Sequence, residues 1–325
     1  MNPAESAPAP ATPGQPGDGA APGAGRNGRR KSPQAKAQSN PTPKAGRNLP
    51  AAVGVGLSML VVVLGGLVLL PLGFVLLTTA FTVFGVWEIF RALQGRGTTL
   101  PIVPVMTGTV AIPLAAYFGG QESQLFALLL SSAAVMLWRT IEGAAGAPRS
   151  IFAGVFTLAW VPFLISFALL PLHAVSGATP VGFWPDGRVP EGAWQTAAML
   201  LLVVSNDTFG YLVGSIFGKH PMAPKISPKK SWEGFAGSVA GAALIGVLAC
   251  LIFLDKPWWF GLVLAVAMVA AATAGDLAES MVKRELRVKD MSSILPGHGG
   301  VMDRLDSIVF AAPVSFVVFS LFSGV

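Results

Sequence analysis

The chain has 325 residues, of which 53% are hydrophobic and only 12% are charged, and its formal net charge is +6 at pH 7. Because soluble domains usually carry about 25% charged residues, this composition excludes an ordinary water-soluble protein and indicates a chain that hides most of its side chains in lipid. The single cysteine, Cys250, excludes an internal disulfide and a cysteine-based zinc cluster.

The chain begins with a segment of different composition. Residues 1–48 are rich in Pro, Ala, Gly and Ser, and they carry +5 of the net charge of +6. Such a segment lacks the apolar surface that would offset its ordering entropy, so the sequence predicts a disordered basic tail followed by a membrane domain at 49–325. Since the excess charge lies in the tail, no nucleic-acid partner is expected. The tail would orient the first span, which is the simpler role, or contact anionic lipid head groups.

Long apolar runs alternate with short polar joints from Leu49 onward. Because a helix needs about 20 apolar residues to cross a bilayer, this pattern predicts an all-α integral membrane protein with about nine transmembrane helices. The predicted spans are 50–69, 72–92, 101–118, 124–139, 151–171, 194–217, 235–254, 257–278 and 306–323.

The distribution of Lys and Arg predicts that the N-terminus is cytosolic. With nine spans threaded from a cytosolic tail, 20 of the 22 Lys and Arg fall on the cytosolic side, and Arg188 and Lys256 are the exceptions. The loops 218–234 and 279–305 then face the cytosol, where nucleoside triphosphates are found. The expected location is the plasma or inner membrane of the cell, with an active site that faces the cytosol.

The segment 276–306 mixes six acidic residues with five Lys or Arg. Asp276 lies near the end of the eighth span, where a carboxylate is costly unless it meets a cation or water. Asp303 and Asp306 lie three residues apart at the mouth of the last span, so both can point the same way. Carboxylates that converge from two helix ends make a hard oxygen site, so the sequence predicts Mg²⁺ bound by Asp276, Asp303 and Asp306, which are also the predicted catalytic acids.

Basic, hydroxyl and glycine residues surround these carboxylates and are predicted to bind phosphate groups. The side chains concerned are Ser280, Lys283, Arg284, Lys289 and Arg304, and Lys289 is also predicted to be catalytic. The turn at His298, Gly299 and Gly300 would let backbone N–H groups approach an anion, although an ordinary flexible turn has the same composition. His298 is expected to donate to phosphate or to organise the loop.

Two further elements contribute predicted substrate-binding residues. The first is a loop in which Ser227 precedes Lys229 and Lys230; lysines at this position also follow from the positive-inside rule, but the neighbouring serine adds a donor for phosphate oxygens. The second is the pair Asn206 and Asp207 in the apolar sixth span. An Asn–Asp pair within lipid is expensive, so it is expected to face a polar cavity or a bound ion, or to bond a neighbouring helix.

The run from Ser280 to Asp306 resembles the signature of the phosphatidate cytidylyltransferases, also called CDP-diacylglycerol synthases. The matching positions are Ser280, Val282, Lys283, Arg284, Lys289, Asp290, Ser292, Leu295, Pro296, His298, Gly299, Gly300, Asp303, Arg304 and Asp306. The run from Ser227 to Gly234 is similar to a second block of that family, with Ser231 where Thr is more usual. The residues from Asp207 to Tyr211 resemble a third block, with Gly210 where Ala is common. The resemblance covers roughly 50–325.

The resemblance implies Mg²⁺-dependent transfer of the cytidylyl group of CTP to phosphatidic acid, a membrane lipid, with CDP-diacylglycerol and pyrophosphate as products. It implies that the carboxylates matching Asp276, Asp303 and Asp306 bind metal and act in catalysis, and that the basic and Ser positions bind substrate phosphates. Two alternatives stay open: a related membrane nucleotidyltransferase acting on another lipid phosphate, and an anionic-solute transporter. A transporter would be expected to show two related halves, and no such repeat is evident in the sequence. A homodimer is a further expectation.

Overall fold

The computed structural model describes residues 60–143, 145–176, 184, 189–292 and 299–322. All of them lie in one compact unit, Val55–Val325. The predicted basic tail, the first part of the first predicted span and His298 lie outside the described residues.

The described residues form helices and one short β-hairpin. In chain order the elements are α1 (Leu60–Leu69), α2 (Pro71–Gln94), α3 (Ile102–Glu142), α4 (Ala147–Leu158), α5 (Leu164–Ser166), α6 (Leu170–Ser176), α7 (Glu191–Phe217), β1 (Pro221–Ala223), β2 (Ser227–Ser231), α8 (Trp232–Ala249), α9 (Trp258–Glu285) and α10 (Met302–Leu321). The π-helical segment Ala159–Phe163 joins α4 to α5, and a second one, Cys250–Leu254, extends α8.

Seven helical segments in the described part of the chain are long and apolar enough to cross a membrane. They are α2, α3, α4 through α5, α7, α8 with its π-helical extension, α9 and α10. The prediction of an all-α, multi-pass membrane protein is confirmed at this level. The antiparallel pairing of β1 with β2 was not predicted, and it lies within the predicted loop 218–234.

The helix α3 explains part of the difference between seven and nine spans. Its 41 residues would extend about 60 Å if straight, twice the thickness of the hydrocarbon core. The backbone leaves helical geometry at Gly120, where φ is +72°. A Cβ atom on Gly108 would lie 2.6 Å from the Cβ of Ser131, although a straight helix would separate these residues by about 35 Å. The helix α3 is therefore a hairpin, and its two arms correspond to the predicted spans 101–118 and 124–139.

Apolar residues fill the interface between α7, α8, α9 and α10. Met199, Leu202, Phe260, Leu264 and Met268 are among the largest side chains that are fully buried there. Within lipid, close van der Waals packing rather than escape from water holds helices together, so tightly fitted side chains are needed in this interface. The packing brings one end of α7, α9 and α10 together, and the polar residues predicted to carry the chemistry lie at that end.

Candidate active site

The helices α9 and α10 approach each other closely at Gly275. A Cβ atom at this position would lie 2.3 Å from the carbonyl oxygen of Asp306, so the approach requires glycine. Asp276 follows directly, and its carboxylate interacts electrostatically with that of Asp306. The structure thus brings together two of the three carboxylates that were predicted to bind metal.

The carboxylate of Asp207 joins the same group from α7. This helix packs against both α9 and α10, and Asp207 interacts electrostatically with Asp276, Asp306 and Lys230. The buried Asn206 donates a hydrogen bond from Nδ2 to Asp207 Oδ1 at 2.9 Å. Asp207 is exposed although α7 is apolar, and the group of charged side chains that it forms with Asp276, Asp306 and Lys230 is here called the cleft.

The β-hairpin is attached to α9 beside this cleft. Nζ of Lys230, on β2, lies 2.5 Å from Oδ2 of Asp276. Oγ of Ser280 donates to the other oxygen of the same carboxylate at 3.2 Å. Nε of Arg284 donates to the carbonyl oxygen of Ile226 at 3.3 Å, which ties the hairpin to the end of α9 a second time. Residues of the β-hairpin and of α9 that were predicted to belong to the site therefore contact each other.

Lys283 lies between two acidic side chains. Its Nζ is 3.0 Å from Oδ1 of Asp303 and also forms an ion pair with Oε2 of Glu279. Glu279 is fully buried, and a buried carboxylate needs a cation to compensate its charge. Glu279 was not predicted as a site residue, although its spacing of four residues from Lys283 is the signal that could have found it.

Asp303 is held by the glycine turn that precedes α10. Its Oδ2 accepts a hydrogen bond from the N–H of Gly300 at 2.7 Å. Gly299 has a φ of +82°, and a Cβ atom there would lie 3.0 Å from Oδ2 of Asp303. The glycines allow the carboxylate of Asp303 to approach the backbone, which is a reason for their presence that the sequence did not reveal.

A second carboxylate, missed by the sequence analysis, lies on the other side of this turn. Glu88 of α2 is fully buried and accepts hydrogen bonds from the N–H groups of Val301 and Met302, each at 2.8 Å, and from Oγ of Ser292. The N–H groups at the start of a helix have no partner within the helix, so an anion is favourable there. The signal in the sequence was a lone acid within an apolar run.

The remaining predicted residues are exposed or partly buried, and of these Arg304 interacts electrostatically with Asp207. Lys229 and Arg304 are exposed, and Ser227 is partly buried at the start of β2. Lys289 is exposed in the segment between α9 and α10. In the part of the chain that the structure describes, no three His, Cys, Asp or Glu side chains are arranged closely enough to share a metal ion.

Comparison with known proteins gives consistent matches. Residues 50–322 match the profile of the Cytidylyltransferase family. The chain is 37% identical to the phosphatidate cytidylyltransferase of Mycobacterium leprae (strain TN), over 86% of this chain and 90% of that protein. It is 36% identical to the phosphatidate cytidylyltransferase of Mycobacterium tuberculosis (strain ATCC 25618 / H37Rv), over 86% and 85%. It is 33% identical to phosphatidate cytidylyltransferase 4, chloroplastic, of Arabidopsis thaliana, over 81% and 70%.

Proposed function

Because the chain belongs to the Cytidylyltransferase family, we propose that it transfers the cytidylyl group of CTP to phosphatidic acid, forming CDP-diacylglycerol and releasing pyrophosphate. The observation that carries the proposal is the charged cleft between α7, α9 and α10, where Asp207, Asp276 and Asp306 interact electrostatically and Lys230 forms an ion pair with Asp276. The names of relatives that match most of the chain support phosphatidic acid as the acceptor.

The reaction is an in-line displacement at the α-phosphorus of CTP. A phosphate oxygen of phosphatidic acid forms the new P–O bond, and the bond from the α-phosphorus to the bridging oxygen of the β-phosphate breaks. The second pKa of a phosphate monoester is about 6, so the attacking oxygen is largely ionised at pH 7 and needs no general base. The main barrier is the approach of two polyanions, which positive charge in the cleft lowers.

The basic residues of the cleft are proposed to bind the substrate phosphates. Lys230 lies at the cleft surface and would exchange its contact with Asp276 for a phosphate oxygen. The other proposed substrate ligands are those predicted from the sequence: Ser227, Lys229, Ser280, Lys283, Arg284, His298, Gly299, Gly300, Arg304, Asn206 and Asp207. Lys289 retains a proposed catalytic part, as a cation close in sequence to the glycine turn.

Magnesium is proposed as the cofactor, and it would supply charge neutralisation and orientation of the triphosphate. Asp276 and Asp306 would hold it together with phosphate oxygens of CTP, because Mg²⁺ is commonly bound by one or two carboxylates, water and substrate phosphates rather than by protein side chains alone. Asp303, the third ligand predicted from the sequence, accepts hydrogen bonds from Gly300 and Lys283. It would have to share an oxygen between these donors and the metal.

We also propose that the chain has nine membrane spans. The two arms of α3 and the described part of α1 add to the other six long helical segments, which supports nine spans. A cytosolic N-terminus, a cytosolic active site and a location in the plasma or inner membrane follow from the positive-inside rule and from the need for CTP. A homodimer is proposed from the expected packing of such a bundle.

The proposal is tested with the purified full-length protein in lipid vesicles that contain phosphatidic acid. We expect release of pyrophosphate and formation of CDP-diacylglycerol when CTP and Mg²⁺ are present. Replacing phosphatidic acid by another lipid phosphate tests the acceptor, and replacing CTP by another nucleotide tests the donor. Absence of pyrophosphate with CTP, Mg²⁺ and phosphatidic acid would contradict the proposed function.

A further inference from the structure

We propose that Glu88 is a positioning residue, which holds the turn before α10 in the shape that directs Asp303 and Lys283 into the cleft. The inference rests on the proposed function and extends it to α2, a helix in which the sequence analysis placed no functional residue. Glu88 and Val301 are separated by 213 positions in the sequence.

The carboxylate of Glu88 receives three hydrogen bonds. Oε1 accepts from the N–H of Val301 at 2.8 Å and from Oγ of Ser292, and Oε2 accepts from the N–H of Met302 at 2.8 Å. Among the described residues, no Lys, Arg or His forms an ion pair with it. Every partner is a donor, so an acceptor-only carboxylate fits the site, whereas an amide would direct an N–H group at one of these donors.

These bonds link two parts of the chain that the structure describes. Ser292 and Val301 lie on either side of the segment 293–300, so one carboxylate fixes the distance between them. The backbone N–H of Gly300, the residue before Val301, donates to Oδ2 of Asp303. The same turn is thus held by Glu88 on one side and by Asp303 on the other.

Asp303 connects the turn held by Glu88 to the cleft. Its Oδ1 contacts Lys283, and its Oδ2 contacts Gly300. A shift of the backbone at Gly300 would therefore move both the carboxylate of Asp303 and the cation that it contacts. Displacements of about 1 Å in such positions can lower turnover about 100-fold.

Apolar packing gives the helix α2 the stability that this role requires. Val86 and Ile89, on either side of Glu88, are buried in one cluster with Val301, Met302 and Leu305. The contacts of the cluster fix α2 against the first turn of α10, so the carboxylate is presented from a firmly packed helix rather than from a loop.

The test compares Glu88→Gln with the matched control Thr82→Val in the full-length protein. Thr82 is also fully buried in α2, but its hydroxyl donates to the carbonyl oxygen of Thr78 within the same helix. For Glu88→Gln we expect kcat to fall roughly 10- to 100-fold, with the KM for CTP changed less than about threefold. Amide hydrogen exchange at Val301 and Met302 is expected to become faster. For Thr82→Val, kcat per folded molecule and exchange at these amides are expected to stay within about twofold.

Three outcomes would overturn the inference. They are a normal kcat for folded Glu88→Gln, an equal loss of kcat in Thr82→Val, and unchanged exchange at Val301 and Met302. If Glu88→Gln does not fold, Ser292→Ala removes one donor and keeps the carboxylate; a fall in kcat of about threefold or more supports the inference, and an unchanged kcat overturns it. If the wild-type protein itself releases no pyrophosphate, the proposed function fails, while the exchange measurement still tests the contact of Glu88 with the turn.

Discussion

Two lysines contact acidic residues in the candidate active site, and their surroundings differ. Lys230 and its partner Asp276 have side chains that are 25% and 30% exposed. Lys283 is 15% exposed and lies between Glu279, at 0%, and Asp303, at 9%. A partly exposed ion pair contributes little net stability, so Lys230 can leave its partner for a phosphate group. A buried pair is costly to break, so Lys283 acts mainly as a fixed part of the site.

The largest effect on turnover is expected for Asp303→Asn, which changes the buried group formed by Lys283, Glu279 and Asp303. The substitution removes the charge that faces Lys283, while one amide oxygen can still accept from Gly300. Turnover should fall at least about 1000-fold, which corresponds to about 4 kcal/mol of transition-state stabilisation. Pyrophosphate release with CTP and phosphatidic acid measures it.

The control for this variant is Glu285→Gln, which neutralises an exposed acid at the end of α9. It should keep turnover within about twofold, since surface substitutions rarely matter. Near-normal turnover of Asp303→Asn would show that this carboxylate has no part in catalysis.

The next effect, on stability, is expected for Lys283→Met. The variant leaves the carboxylate of Glu279 buried without its cation, and breaking a buried pair in this way typically costs about 3–5 kcal/mol. The free energy of unfolding in detergent measures it. The double variant Glu279→Gln with Lys283→Met removes both charges and should recover most of the lost stability, but not the activity. If Lys283→Met is as stable as the wild type, the buried pair is not a fixed part of the structure.

The positions of these acids were partly predictable from the sequence. Asp276 lies in the last third of α9 and Asp306 in the second turn of α10, so antiparallel packing of two consecutive helices brings them together. The role of Glu88 was not predictable, because it depends on contact between α2 and α10, which local patterns do not encode. The two arms of α3 were predicted as two spans, and the turn at Gly120 is what separates them.

The β-hairpin shows a different limit of sequence analysis. Its strands have three and five residues, too few to display a period of two, and an isolated two-stranded hairpin is marginal in water. Contacts of the hairpin with α9, through Lys230 and Arg284, supply the stability that the local sequence lacks.

For the partly exposed pair of Lys230 and Asp276, the variant Lys230→Met is expected to affect substrate binding more than stability. The free energy of unfolding should change by less than about 1 kcal/mol, because the ion pair with Asp276 is partly exposed. The KM for CTP should rise roughly 10-fold, since one charge-assisted contact to phosphate is lost. Lys229→Met, which changes the exposed neighbouring lysine, serves for comparison. An equal rise of KM in both variants would mean that general positive charge, rather than the contact at Asp276, binds the nucleotide.

The smallest effect is expected for Arg284→Gln. This variant tests whether the hydrogen bond between α9 and the hairpin affects nucleotide binding at Lys230. The bond from Nε to the carbonyl oxygen of Ile226 is long, at 3.3 Å, and exposed to solvent, so its loss should cost little. We expect the KM for CTP to rise about two- to threefold with kcat unchanged, because the other contact, between Lys230 and Asp276, still holds the hairpin on α9. A rise of more than about 10-fold would instead indicate that the guanidinium binds phosphate directly, as the sequence predicted, since a bidentate contact to phosphate is worth more than one exposed bond to a carbonyl.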